Sequence, residues 1–312
     1  MYPPSSVTTP AASAPVVALR RLLAEPIPIG TRQLPPLGLV VLATIGALLL
    51  AVVATGHWAQ PNDEHAYWLA ARRLVEGQAL YDPTVTIITP FAYLYPPPLA
   101  QVLVPVAAVV PDWLFSVAWT VLMGMALFWL AGRDMLRALA LIAFPPVAVE
   151  FWFRNVHLFL AVLVVLGLRH ASGWFAVGAA IKVSPGLGVP YLAVRGRWRD
   201  AAIATAIGLA MLVLSVVLSP DAWRAYLDFV LSTDPLQQSS FVAVPLPVRA
   251  VAGLLLAILA GRLPRHVGDP LLVVAVTLAL PSLWFTGLSL LVGVVPLILA
   301  DRRASASMTP MR

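Results

Sequence analysis

The chain contains no cysteine and only one lysine, Lys182, among 312 residues. Charged side chains of either sign make up just 11 % of it. Without cysteine there are no disulfides, thiolate metal sites or cysteine nucleophiles. The scarcity of charge excludes more. A soluble domain is about 25 % charged and about 45–50 % apolar, whereas 60 % of this chain is hydrophobic. A globule of that composition lacks the polar surface to cover itself. The apolar residues come in long unbroken runs and do not alternate with polar ones, which excludes a transmembrane β-barrel. The fold class that remains is an all-α, polytopic helical membrane protein. The net charge of +6 does not point to nucleic acid, because the arginines stand in small groups at the ends of apolar runs, where topology signals lie.

Residues 1–36 are broken by prolines, among them Pro3, Pro10, Pro15, Pro26 and Pro36, and read as a disordered cytoplasmic tail. The first apolar run opens at Leu37, behind Arg20, Arg21 and Arg32. This order puts the N-terminus in the cytoplasm and the polar stretch 57–95 outside. Later runs near 98–110, 113–132, 137–152, 156–169, 173–194, 200–219, 246–261, 270–284 and 285–300 bring the count to about ten spans. The transmembrane domain is thus 37–301, with a second outer loop at 220–245 and a cytoplasmic tail at 302–312. Arginine clusters at 195–199, 262–265 and 302–303 then face the cytoplasm, while Arg133, Arg137 and Arg169 face outward against the rule.

The first outer loop carries the clearest pattern. Asn62 or Asp63 suits a helix N-cap and Gly77 suits a C-terminal stop. Tyr67, Ala70, Ala71 and Leu74 share one face, with Glu64, Arg72 and Glu76 on others, as in a helix lying along the outer membrane surface. Asp63 either caps that helix or serves as a general base at the interface. Glu64 and His65 are adjacent alternatives. The loop ends in Tyr93-Leu94-Tyr95-Pro96-Pro97-Pro98, a rigid proline-rich return to the membrane with tyrosines at headgroup depth.

Lys182 lies within an apolar run. A charge there costs at least ~2.5–3.5 kcal/mol and needs a partner or water. It snorkels, pairs with Glu150, or faces an anionic group such as a lipid phosphate. The polar knot from Glu150 through Arg154, Asn155 and His157 reads as a loop between two runs. No HExxH, zinc or phosphate-loop signature occurs, so no metal and no cofactor is assigned.

Taken in order, Asp63, the Tyr67/Ala70/Leu74/Gly77/Tyr81 series, Tyr95-x-Pro97-Pro98, Ile181-Lys182-x-x-Pro185 and Arg197-Trp198 resemble glycosyltransferase family 87 over roughly residues 37–250. These are polyprenol-phosphate-mannose-dependent mannosyltransferases of GT-C architecture. The resemblance implies an inverting transfer on the outer face of the plasma membrane. The donor is a polyprenyl-phosphate sugar, most simply mannose, and the acceptor is a hydroxyl of a cell-envelope glycolipid or lipoglycan. It also implies that Asp63 is the catalytic base. From charge, Lys182 or the outer arginines Arg72 and Arg73 are candidates to hold the donor phosphate. Glu64, His65 and Tyr95 complete the candidate substrate-side set. The chain departs from the family pattern at Arg154-Asn155-Val156-His157, where Gly-Gln-x-Asn is common, and at Gln237-Gln238-Ser239-Ser240, where relatives carry an Asn-Gln-Ser-like element. Alternatives are a polyprenyl-phosphate-arabinose-dependent arabinofuranosyltransferase and a non-catalytic transporter or scaffold.

Overall fold

The computed structural model describes residues 27–29, 32–34, 62–81, 92–232 and 244–307. Most of the stretch 1–36, the apolar run from Leu37 and the Gln237–Ser240 element lie outside the described residues. Two strands, β1 (Ile27–Ile29) and β2 (Arg32–Leu34), form an antiparallel hairpin with Ile27 opposite Leu34.

All other regular structure described is helical. In order come α1 (Asp63–Val75), α2 (Pro97–Val109), α3 (Asp112–Leu130), α4 (Met135–Ile142), α5 (Pro145–Phe153), α6 (His157–Arg169) and α7 (Gly173–Ile181). A 3-10 turn, Ser184–Leu187, leads into α8 (Gly188–Val194), α9 (Trp198–Leu218), α10 (Pro220–Ser232), α11 (Leu246–Arg262) and α12 (Arg265–Leu278). A longer 3-10 segment, Phe285–Gly293, precedes α13 (Val294–Ser307).

Among the described residues, two helices are long and apolar enough to cross a membrane, α3 with 19 residues and α9 with 21. α4 and α5 count as a third span if taken together, although they bend by 82° at their junction. Several of the runs counted in the sequence are shorter helices, including α2 and α6. The run 173–194 is interrupted at Lys182, whose backbone is extended (φ −141°, ψ 133°). Non-helical backbone at membrane depth is tolerated where protein or water satisfies its polar groups. The interruptions in this chain therefore mark where polar side chains gather.

α1 ends as the sequence predicts. Gly77 takes φ +68°, and the Gln78 N–H bonds back to the Arg73 carbonyl at 2.8 Å. Its first turn is acidic and its last basic, matching the helix dipole. One expectation needs correction. Glu64 is on the buried face, only 1 % exposed, because positions 64, 67 and 71 fall at i, i+3 and i+7.

α1 lies along α2 and touches α3, while α6 is surrounded by α3, α7 and the 285–293 segment. α11 and α12 form a hairpin whose contact uses small residues. A Cβ at Gly253 would sit 2.8 Å from the Ala279 Cβ and 2.9 Å from the Ala275 carbonyl. Such close approach is how helices associate where lipid removes the hydrophobic drive. Buried Arg249 ties off the far end of α12 by donating to the carbonyls of Leu278, Leu280 and Pro281 at 3.2, 2.6 and 3.1 Å.

Candidate active site

Four chain breaks converge on one polar cluster. They are the start of α1 at Asp63, the Tyr93–Pro96 approach to α2, the α5–α6 corner at Arg154–His157, and the end of α7 at Lys182. The corner forms because Arg154 adopts a left-handed conformation (φ 52°, ψ 43°) that ends α5. A non-glycine residue there costs about 1–3 kcal/mol and persists only where its surroundings fix it. They do. The Arg154 guanidinium Nε lies 2.9 Å from the Glu64 carboxylate, with both side chains 1 % exposed. The Arg154 carbonyl accepts from the Trp119 indole at 2.9 Å, and Ser116 donates to Glu64 Oε1 at 2.9 Å.

The corner delivers Asn155 and His157 to the site. Asn155 Oδ1 accepts from the Tyr95 hydroxyl at 2.9 Å and from the Val156 N–H at 2.7 Å. With its oxygen so occupied, the amide must turn its NH2 the other way, where Nδ2 donates to Asp63 Oδ2. The Tyr95 proton is committed to Asn155, so the Tyr67 hydroxyl, 2.8 Å away, donates to Tyr95. Asn62 occupies the N-cap position of α1 without a side-chain cap bond. The Asp63 carboxylate, at the first helical position, turns into the cluster toward Asn155.

Lys182 is 6 % exposed. Its Nζ lies 2.9 Å from His157 Nε2 and 4.9 Å from the centre of the Tyr95 ring. No other hydrogen bond reaches this ammonium among the described residues. His157 Nδ1 in turn lies 3.0 Å from Glu150 Oε2, and Glu150 Oε1 accepts the His157 backbone N–H at 2.7 Å. Burial pushes the Asp63 carboxyl up to about 6, opposed by the positive charge of Lys182 and augmented by the negative charge of Glu150. Burial likewise pushes Glu64 up to about 7, with Arg154 pulling the other way. Tyr67 and Tyr95 are driven well above the ordinary tyrosine range by burial and so stay neutral.

Of the residues singled out in the sequence, Asp63, Tyr95 and Lys182 come together. Glu64 stands beside them but is engaged with Arg154 and Ser116. His65 points elsewhere, its Nδ1 2.9 Å from Asp112 Oδ2. Arg72 and Arg73 lie in the last turn of α1, about 14 Å along the axis from Asp63. Arg72 is paired with Glu76 at 2.7 Å. Sequence reasoning missed Asn155, His157 and Glu150 as site residues. The available signal was a polar knot between two apolar runs of a membrane chain.

The family model for glycosyltransferase family 87 matches residues 93–309, well over half of the chain. The chain belongs to glycosyltransferase family 87. The resemblance drawn from the motifs is thereby borne out, and the protein is a membrane glycosyltransferase. No curated protein and no solved structure matches it. Within this family-87 glycosyltransferase the matched segment holds Tyr95, Glu150, Arg154, Asn155, His157 and Lys182, whereas α1 with Asp63 precedes it.

Proposed function

We propose that this family-87 glycosyltransferase moves mannose from a polyprenyl-phosphate donor to a hydroxyl of a cell-envelope glycolipid or lipoglycan, with inversion. The reaction takes place on the outer face of the plasma membrane, in a multi-pass fold of about ten spans, with α1 along the outer surface. One observation carries the reading. The Asp63 carboxylate, oriented by Asn155, shares a buried cluster with the Lys182 ammonium, most of whose donors are unused.

In the reaction an acceptor hydroxyl gives its proton to Asp63 as its oxygen bonds to the anomeric carbon. The bond from that carbon to the phosphate oxygen breaks, and its electron pair leaves with the polyprenyl phosphate. Lys182 faces the negative charge that develops there. Direct displacement suits a site with one available carboxylate beside one available cation. The pairing of Glu64 with Arg154 supports giving the base role to Asp63. Arg72 and Arg73, in the last turn of α1, suit its helix dipole, and this reading gives the donor phosphate to Lys182.

The test is transfer by the purified protein in detergent, with radiolabelled polyprenyl-phosphate mannose and polyprenyl-phosphate arabinose offered separately with a glycolipid acceptor. Label moving from the mannose donor alone is the expected result. Label moving only from arabinose overturns the sugar assignment, and no transfer from either overturns the reaction.

A further inference from the structure

Beyond Lys182 itself, the structure places a hydrogen-bonded chain of three ionisable side chains in an apolar interior. Glu150 and His157 are fully buried and Lys182 nearly so. Buried ionic groups are costly, and replacing them with apolar residues of similar volume is often neutral or stabilising. Stability alone does not explain such a chain.

Its geometry fixes a direction. An ammonium has only donors, so His157 Nε2 must accept from Lys182. The proton of the neutral imidazole then sits on Nδ1 and is donated to Glu150 Oε2. Glu150 is held in turn by the His157 backbone N–H on its other oxygen. Every acceptor in the chain is used. The only unused donors are on the Lys182 ammonium, at the end of the chain facing Tyr95 and Asp63.

A lysine side chain on its own is flexible and points its charge poorly. The stiffer imidazole, locked in one tautomer by Glu150, removes that freedom. We infer that His157 and Glu150 are positioning residues that aim the Lys182 ammonium at the phosphate of the donor. The inference rests on the reading of Lys182 as the phosphate-facing residue.

The test compares wild type with His157→Leu, His157→Gln and Glu150→Gln, using the full chain in detergent. Two quantities are read: the affinity for a polyprenyl monophosphate carrying no sugar, and the KM for donor and for acceptor during transfer. Leucine cannot accept from Lys182. His157→Leu should weaken polyprenyl phosphate binding and raise the donor KM about tenfold or more, the worth of a charge-assisted hydrogen bond, with the acceptor KM unchanged. Glutamine offers an oxygen to the ammonium, so His157→Gln should stay within a few fold of wild type. Glu150→Gln should behave like the leucine variant, because the amide replaces one of the two oxygens that accept the His157 N–H groups with an NH2 that only donates. If Glu150→Gln does not fold, the two His157 variants carry the comparison. Wild-type affinity in a folded His157→Leu protein, or equal losses in donor and acceptor KM, overturns the inference. Binding of polyprenyl phosphate that depends on His157, in a wild-type protein that transfers no sugar, refutes the transfer reading and supports the positioning role.

Discussion

Asn155 donates its amide hydrogen bond to Asp63, a residue 92 positions earlier in the chain. The donor's direction is not free, since Tyr95 and the Val156 N–H occupy the amide oxygen. Asp63 is thus held by a group that is itself held on two sides. Asn155→Asp should put a second carboxylate against the first, and two adjacent carboxyls share a proton. The acidic limb of the pH–rate profile should move to higher pH, with activity at neutrality reduced by about tenfold or more. An unchanged limb would show that Asn155 does not contact the base during turnover.

The wild-type pH–rate profile should report the burial of Asp63. A base must be deprotonated to work, and this carboxyl is pushed up to about 6. Activity should rise through about pH 6 and level off above it, with about a tenth of the plateau remaining at about pH 5. A limb near pH 4, where an exposed aspartate titrates, contradicts the site.

The same burial links activity to stability. A carboxyl raised from 3.8 to about 6 favours the folded state below pH 3.8, and that contribution is lost as pH rises through 6. Asparagine carries no such dependence. The Tm of Asp63→Asn relative to wild type should therefore be higher at about pH 7.5 than at about pH 4.5. Thermal unfolding of both proteins in detergent at the two pH values measures this difference, and a constant offset would show that Asp63 is not desolvated.

Arg154 and Glu64 form a unit that double substitution can separate. Removing one partner of a buried pair costs about 3–5 kcal/mol. Arg154→Gly removes the guanidinium but also relieves the left-handed strain, worth about 1–3 kcal/mol. The single variant should melt lower than wild type. Adding Glu64→Gln should recover part of the loss, since the new amide oxygen still accepts from Ser116 and leaves no unpaired charge. Additive losses would mean that the pair is not coupled.

Much of this site was legible in the sequence, for identifiable reasons. Asp63 stood out because an acidic residue opens a helix right after an apolar run. Lys182 stood out because a lone lysine in an apolar run demands a partner. Asn155 and His157 did not, since polar residues between two apolar runs are usually a solvated loop. Glu150 and His157 are seven residues apart, but the left-handed turn at Arg154 separates their helices, so helical spacing could not pair them. The face of Glu64 was misjudged because a carboxylate reads as exposed until a buried guanidinium is known to meet it. Counting spans from apolar runs also takes no account of helices interrupted within a run, as at Lys182. Those interruptions are what assemble the cluster.

The most direct measurement is mannose transfer by Asp63→Asn beside wild type, both purified in detergent and matched for folding by Tm. Asparagine keeps an oxygen for the Asn155 hydrogen bond but cannot take the acceptor proton. Loss of general-base catalysis should lower transfer by about 10²–10⁴-fold, with polyprenyl phosphate binding retained. Transfer within a few fold of wild type would contradict the assignment of Asp63 as the base.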